Sequence, residues 1–256
     1  MVNVIDPSAQ IAPDVKLGLG VRIYPNVIIE SGCEIGDFCV IGHPTKIPSF
    51  QGKNLKIGAG SLIRSHAVLY EGSALGQGLE TGHHVVIREG TQTGINLRVG
   101  NFSDIEGDCI IGDYCRFHGY VHVGRGSKVG NFVWLFSLVT LTNDPLPPSR
   151  IAAPVIIEDG VVVAVNVTVM PGTWLKRGSF VSSGGSVSGT VQPAAVVKND
   201  KVICGVNKLM NLKHSLRHPW MQHLNDAYPE HIRSTLIELG EKIKHDSNSV
   251  IIKSKN

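Results

Sequence analysis

Long apolar runs, aromatic residues and charge of one sign are all scarce in this chain of 256 residues. No apolar stretch reaches the roughly 18 to 20 residues that cross a bilayer as a helix, which argues against a membrane span. The first residues, MVNVIDPS, hold neither a basic region nor an apolar core of the secretory kind, so the expected setting is soluble and cytoplasmic. Basic residues number 24 against 21 acidic ones, a net charge of +3, with no basic run or aromatic platform beside it. Nucleic acid is therefore not an expected partner. Aromatics make up 6% of the chain against 42% hydrophobic residues, so a core must be built from aliphatics.

Those aliphatics follow one rule. From Ile57 to Leu141 they recur every six positions, through Ile63, Leu69, Leu75, Ile87, Val99 and onward, with only Thr81 and Thr93 breaking the apolar pattern. Four residues after each comes a second small or apolar residue, such as Ser61, Ala67, Val85, Cys109 or Val133. Glycine often follows the aliphatic directly, as at Gly58, Gly82, Gly100, Gly124 and Gly130. A period of six is neither the 3.6 of a helix nor the 2 of a long strand. It predicts short strands joined by turns in which glycine supplies φ freedom, wound into a parallel β-helix of stacked coils. Four of the five cysteines, Cys33, Cys39, Cys109 and Cys115, fall at the inward fourth position and read as small core residues rather than disulfides or zinc ligands. Cys204 lies outside the repeat.

The same rule, in another phase, covers Ile5 to Ile41. Two stretches break it. Residues 43–56, HPTKIPSFQGKNLK, and residues 142–154, TNDPLPPSRIAAP, are proline-bearing and aperiodic, and read as loops projecting from a rigid solenoid. The repeat resumes at Ile157 and runs to Val187, and after Pro193 the period disappears. The predicted organisation is a β-helix over 1–198 and a C-terminal tail over 199–256. Within that tail Ile232, Leu236, Leu239 and Ile243 are spaced for an amphipathic helix, with Glu238 and Lys242 as an i,i+4 pair. His218 to Trp220 reads as a turn with an anchoring aromatic.

The hexads resemble those of the left-handed β-helix acyltransferase superfamily. That resemblance implies three hexads per triangular coil, so residues 18 apart stack on neighbouring coils at about 4.8 Å. Columns follow: Asp104, His122 and Thr140; His66 and His84 with His83 beside them; Arg88 on Glu106; Arg98, Arg116 and Trp134. A carboxylate beside an imidazole fixes its tautomer and raises its basicity, as a general base requires. Taken alone, Arg88 with Glu106 is a surface ion pair, and the Arg98–Arg116–Trp134 ladder is surface packing with a cation–π contact. What singles out the region is concentration: His66, His83, His84, His118 and His122 fall within a few coils, near the loop that carries Asn143 and Asp144.

Several strings resemble one branch of that superfamily: IRSHAVLY, GHHVVIRE, SDIEGDCIIGDYCRFHGYVHVG, NFVWLFSLVTLTNDPLPPS and ICGVNK. The branch comprises N-acetyltransferases that acylate the amine of dTDP-linked 3-amino-3,6-dideoxyhexoses for surface glycans such as O-antigen. It implies a homotrimer with active sites between subunits, acetyl-CoA or another short acyl-CoA as donor, and a nucleotide-sugar acceptor. Asp144 would hold the sugar amine with His84 or His83 beside it, and the Asp104–His122 pair would bind or act as base. Arg88, His118, Trp134 and Asn143 join the expected substrate contacts. The donor end departs from the pattern of relatives: SSGGSVSGTVQPAAV and CGVNK stand where GAGAVVTKDVP and GNPAK are usual. Pantetheine is expected along Ala164 and Gly184, with Lys198 or Lys208 near phosphate. Three other readings compete, one of them an acyl transferase of lipid A synthesis that would share the C-terminal helical cap and demand long acyl chains on carrier protein. A zinc enzyme of the γ-carbonic anhydrase type would use His84, His118 and His122, although His118 and His122 occupy different hexad positions and no metal is expected. A non-catalytic hexapeptide scaffold would have no need of the two loops.

Overall fold

A computed structural model describes residues 2–210 and 228–252. Three parallel sheets run the length of a triangular prism. Sheet I extends from Val4–Ile5 to Gly185–Val187, sheet II from Gln10–Ile11 to Thr190–Val191, and sheet III from Lys16–Leu17 to Lys201–Gly205. As far as Ala195–Lys198, consecutive strands belong to successive sheets, and each pairs in parallel with the strand three places on, the order of a left-handed β-helix. The expected 18-residue register is present: Ile87 lies against Ile105, and Phe117 against Leu135.

The six-residue rule works because both inward positions are buried. Ile57, Ile63, Leu69 and Ile87 are fully enclosed, as are Ala67, Val85 and Cys109 from the fourth position. Polar residues at the fourth position serve the backbone; Ser61 and Ser127 hydroxyls donate to the carbonyls of Gly58 and Gly124, each at 2.6 Å. Thr81 and Thr93 break the apolar rule because their hydroxyls accept the N–H groups of Arg64 and Gly76. The repeat cysteines are free and buried. Burial pushes the Cys39 and Cys109 thiols up to about 11 and Cys115 up to about 12, which keeps them protonated and unfit as ligands.

The reason for the hexad glycines differs from expectation. The left-handed residue of each turn lies three places after the inward aliphatic, and it is as often His84, Phe102, Tyr120 or Phe132 as glycine. The glycine directly after the aliphatic instead permits close approach between coils: a Cβ on Gly100 would sit 2.4 Å from the backbone of the next coil, and one on Gly82 equally close to Asn101. Any side chain there would force two coils apart.

Both inserted stretches leave the same edge, between sheets I and II. Ile29 pairs with Ile57 and Val129 with Ile157, so each insertion adds ten residues to an 18-residue coil. The first loop folds back on the prism. Glu71, nearly buried, accepts from the N–H groups of Thr45 (2.8 Å) and Gly52 (3.0 Å), and the Phe50 ring rests over Gly72 and Gly90. The second loop is closed at its neck by the Ala153 N–H on the Asn143 carbonyl, 2.8 Å.

The repeat persists beyond Pro193. Leu175 pairs with Val191 and Val181 with Val197, so one turn is two residues shorter, which disguises the final coil in the sequence. Lys201–Gly205 then turns back antiparallel on Ala195–Lys198 and covers the open end of sheet III. A four-residue helix, Asn207–Met210, follows, and a 3-10 turn Glu230–Ile232 leads into the helix Arg233–Asn248 with the expected Glu238–Lys242 pair at 2.6 Å. The tail helix packs on the edge between sheets II and III, where Tyr228 and Leu236 meet Tyr114 and Phe132. The predicted turn at His218 to Trp220 lies outside the described residues.

Candidate functional site

On sheet I, Asp104 and His122 are register neighbours, and Thr140 follows on the next coil. His122 Nδ1 lies 2.8 Å from an Asp104 carboxylate oxygen. A carboxylate can only accept, so Nδ1 carries the proton and Nε2 is left as the acceptor. The Asp104 hydrogen bond raises the His122 pKa above its ordinary value against the opposing effect of burial, and the charges of Asp104 and Glu106 add to it. The imidazole is thus oriented, basic and half-buried. The two inserted loops leave the adjacent edge on either side of it along the helix axis, after His43 and after Leu141.

Arg88 does not pair with Glu106. Its Nε and Nη2 reach Glu89, the next residue, at 3.3 and 3.0 Å. Glu89 is 0% exposed and also receives Arg125 at 2.8 Å, while Arg125 holds Asp108. Burial would raise the Glu89 carboxyl, but Arg125 and Arg88 hold it below its ordinary value. A desolvated carboxylate must be paired, and it outcompetes the more exposed Glu106 for the guanidinium. Glu106 accepts the Arg125 N–H instead, at 3.4 Å. Asn143 reaches the Arg125 carbonyl at 3.4 Å and so ties the second loop to this network.

Asp144 serves its own loop. Its oxygens accept from the Leu146 N–H (3.0 Å), the Ser149 N–H (2.8 Å) and the Ser149 hydroxyl (2.5 Å). The Ser149 bonds hold its pKa below the ordinary value. No hydrogen bond joins it to His83, His84 or His122 among the described residues.

The other histidines are dispersed. His84 stands on the edge between sheets III and I, stacked between His66 (4.6 Å) and Phe102 (4.9 Å), and the column continues to Tyr120. His83 hydrogen-bonds Ser65 at 2.8 Å and opens onto sheet III. His118 lies on that sheet, stacked 4.4 Å from Phe136, and burial lowers its pKa. Trp134 donates to the Tyr228 hydroxyl at 2.7 Å. His83, His118 and Trp134 line one groove of about 630 Å³ with Arg64, Arg98 and Arg116. Two faces therefore carry chemistry, sheet I and sheet III, and the aromatic edge divides them. His84, His118 and His122 point to three different places within one chain, and no group of three or more His, Cys, Asp or Glu in metal-holding geometry occurs among the described residues.

At the donor end, Ala164 and Gly184 sit on successive coils beside that edge; the Gly184 N–H reaches the Val165 carbonyl at 3.0 Å, and a Cβ on Gly184 would meet open space. Lys198 ends the last strand of the prism close by, next to Asn199, which approaches Gly185. Lys208 is separate, on the short helix at the edge between sheets II and III.

Glu89 and Arg125 carry no one-coil signal because they sit two coils apart in one column, on either side of Gly107, at a separation of 36 residues. The Phe102–Tyr120 ladder carried the 18-residue signal and could have been found. Tyr228 had no signal, since its partners are more than ninety residues away.

No protein-family model matches the chain. The chain is 30% identical over 176 residues to the bifunctional protein GlmU of Acinetobacter baylyi, covering 63% of this chain and 37% of that protein. To the bifunctional protein GlmU of an Exiguobacterium species it is 27% identical over 204 residues, 76% of this chain and 41% of that one. The chain thus spans about two fifths of the length of the curated relatives it matches. Among solved structures, a UDP-N-acetylglucosamine acyltransferase superposes on 98% of this chain and 97% of its own, with a TM-score of 0.50 at 20% identity, a likeness of fold.

Proposed function

We propose that this chain is a hexapeptide-repeat acyltransferase that moves an acetyl or other short acyl group from CoA to the amine of a nucleotide-linked 3-amino-3,6-dideoxyhexose, in surface-glycan synthesis. The observation that carries it is the Asp104–His122 pair, an oriented imidazole on an accessible face between two loops. The TNDPLPPS resemblance and the similarity in sequence to the GlmU proteins support it.

Acyl-CoA brings a thioester carbonyl. The chain's part is to position the sugar amine and manage its proton. His122 Nε2 accepts the proton as the nitrogen attacks the carbonyl carbon; the C–N bond forms, the C–S bond breaks, and the proton passes to the thiolate. Asp104 holds the tautomer and balances the imidazolium. Asp144 keeps the second loop in the shape that borders the amine, and His84 contributes from the edge. The working unit is a homotrimer in which sheet I of one copy meets sheet III of its neighbour across the exposed aromatic edge, where Phe102 and Tyr120 are left about half exposed among the described residues.

The test is thiol release from acetyl-CoA against a panel of dTDP- and UDP-linked 3-amino and 4-amino deoxyhexoses, dTDP first. Saturable release with one sugar is expected, and His122→Ala should lower it about 10² to 10⁴-fold, the range for one general base. Silence across the panel from a folded oligomer would overturn the reading.

A further inference from the structure

The groove on sheet III contains a charge arrangement that the acyl-transfer reading does not use. Arg64 and Arg98 share one carboxylate: Arg64 Nη1 meets one oxygen of Glu80 at 2.9 Å and Arg98 Nε meets the other at 3.1 Å. Two guanidinium groups are thus held in place by a single negative charge. On the next coil Arg116 is the register neighbour of Arg98, a like charge placed directly alongside. Like charges facing each other across a sheet destabilise it. Arg116 is buried and fixed by the carbonyls of Asn96 and Cys115, so it cannot swing away. A sequence that stacks arginines in this way breaks a local rule, and such breaks concentrate at functional sites.

The surroundings suit an anion. Glu80 is the one acidic residue among those lining the groove, and His83 and Asn101 add polar groups. Trp134 walls one side, its indole N–H held by the Tyr228 hydroxyl behind it. Arg98 lines the groove, has the Glu80 pair as its side-chain partner among the described residues and remains 58% exposed, so it is open to a second partner. The volume of about 630 Å³ exceeds what a single small ion fills. Guanidinium forks match phosphate oxygens two at a time.

We infer that Arg64 and Arg98, positioned by Glu80, form a subsite for a diphosphate group. The inference rests on the acyl-transfer reading for its occupant, since both a nucleotide sugar and CoA carry a diphosphate. It assigns specificity for charge, not chemistry, to this face.

The test is equilibrium binding by titration calorimetry with inorganic pyrophosphate, dTDP and CoA in turn, on the intact protein and on Arg98→Ala, Arg98→Lys and Arg64→Ala, with thermal melting to show that each variant is folded. Arg98→Ala should weaken pyrophosphate binding tenfold or more, as for loss of one charge-assisted contact, and Arg98→Lys should recover part of it. The same loss with dTDP assigns the subsite to the nucleotide sugar; the same loss with CoA assigns it to the donor. Unchanged affinity of all three probes in folded Arg98→Ala and Arg64→Ala overturns the inference. Thiol release is read separately, so an active enzyme with no arginine-dependent binding defeats the subsite alone, and an inactive one with such binding defeats the acyl-transfer reading alone.

Discussion

Two edges of the prism carry stacked aromatic rings at the same place in the repeat, and they end differently. Between sheets II and III, Tyr114 and Phe132 stack at 5.6 Å and are covered edge-on by Tyr228, which leaves them 3% and 8% exposed. Between sheets III and I, Phe102 and Tyr120 stack at 5.2 Å and remain 49% and 57% exposed. From Gly20 onward the hexad places a left-handed residue at corner after corner, and the tail decides which corner becomes core. The covered ladder belongs to stability. The open one, running on to Leu138 at its C-terminal end and through His84 and His66 to Phe38 at its N-terminal end, is exposed surface, the face on which a second copy is proposed to pack.

The sharpest way to test that contrast is the matched pair Phe132→Ala and Phe102→Ala. Phe132→Ala should cost about 3–5 kcal/mol in urea unfolding at any protein concentration, because it empties a closed site. Phe102→Ala should cost less, and its cost should shrink as protein is diluted, because the cover proposed for it comes from another chain. Equal, concentration-independent losses would erase the distinction between the edges.

A charge on the open edge gives the next largest effect. Light scattering should find three copies for the parent protein and a single copy for Tyr120→Asp, with unchanged circular dichroism. A trimer that survives Tyr120→Asp would remove this edge from the assembly.

The smallest effect concerns sheet I beside the open edge. The Asp104 bond raises the His122 pKa, and a base works only when unprotonated, so activity should rise through that elevated pKa as pH increases. In Asp104→Asn the midpoint should move down towards the ordinary histidine value of about 6.5, and the plateau should fall as the tautomer is lost. For stability the sign is opposite: a raised folded pKa stabilises fully below the unfolded pKa and is lost as pH rises through the folded one. A pH–rate profile that does not move in Asp104→Asn would take His122 out of the chemistry.

Much of this was legible in the residues themselves. The six-residue period sets the prism, its buried cysteines, both loops and the Asp104–His122 and Arg98–Arg116 columns, because each depends on neighbours one coil away at a constant spacing. Local periodicity determines these, since a β-helix turns sequence separation into a fixed distance. Only the tertiary structure decided the rest. It moved Arg88 from Glu106 to Glu89, since a buried carboxylate demands a cation more strongly than an exposed one. It turned Asp144 onto its own loop, hid the final coil behind a two-residue deletion, and laid Tyr228 over one ladder while leaving the other open. Those choices depend on which surfaces are desolvated once the chain has closed on itself, a property that no spacing along the chain encodes.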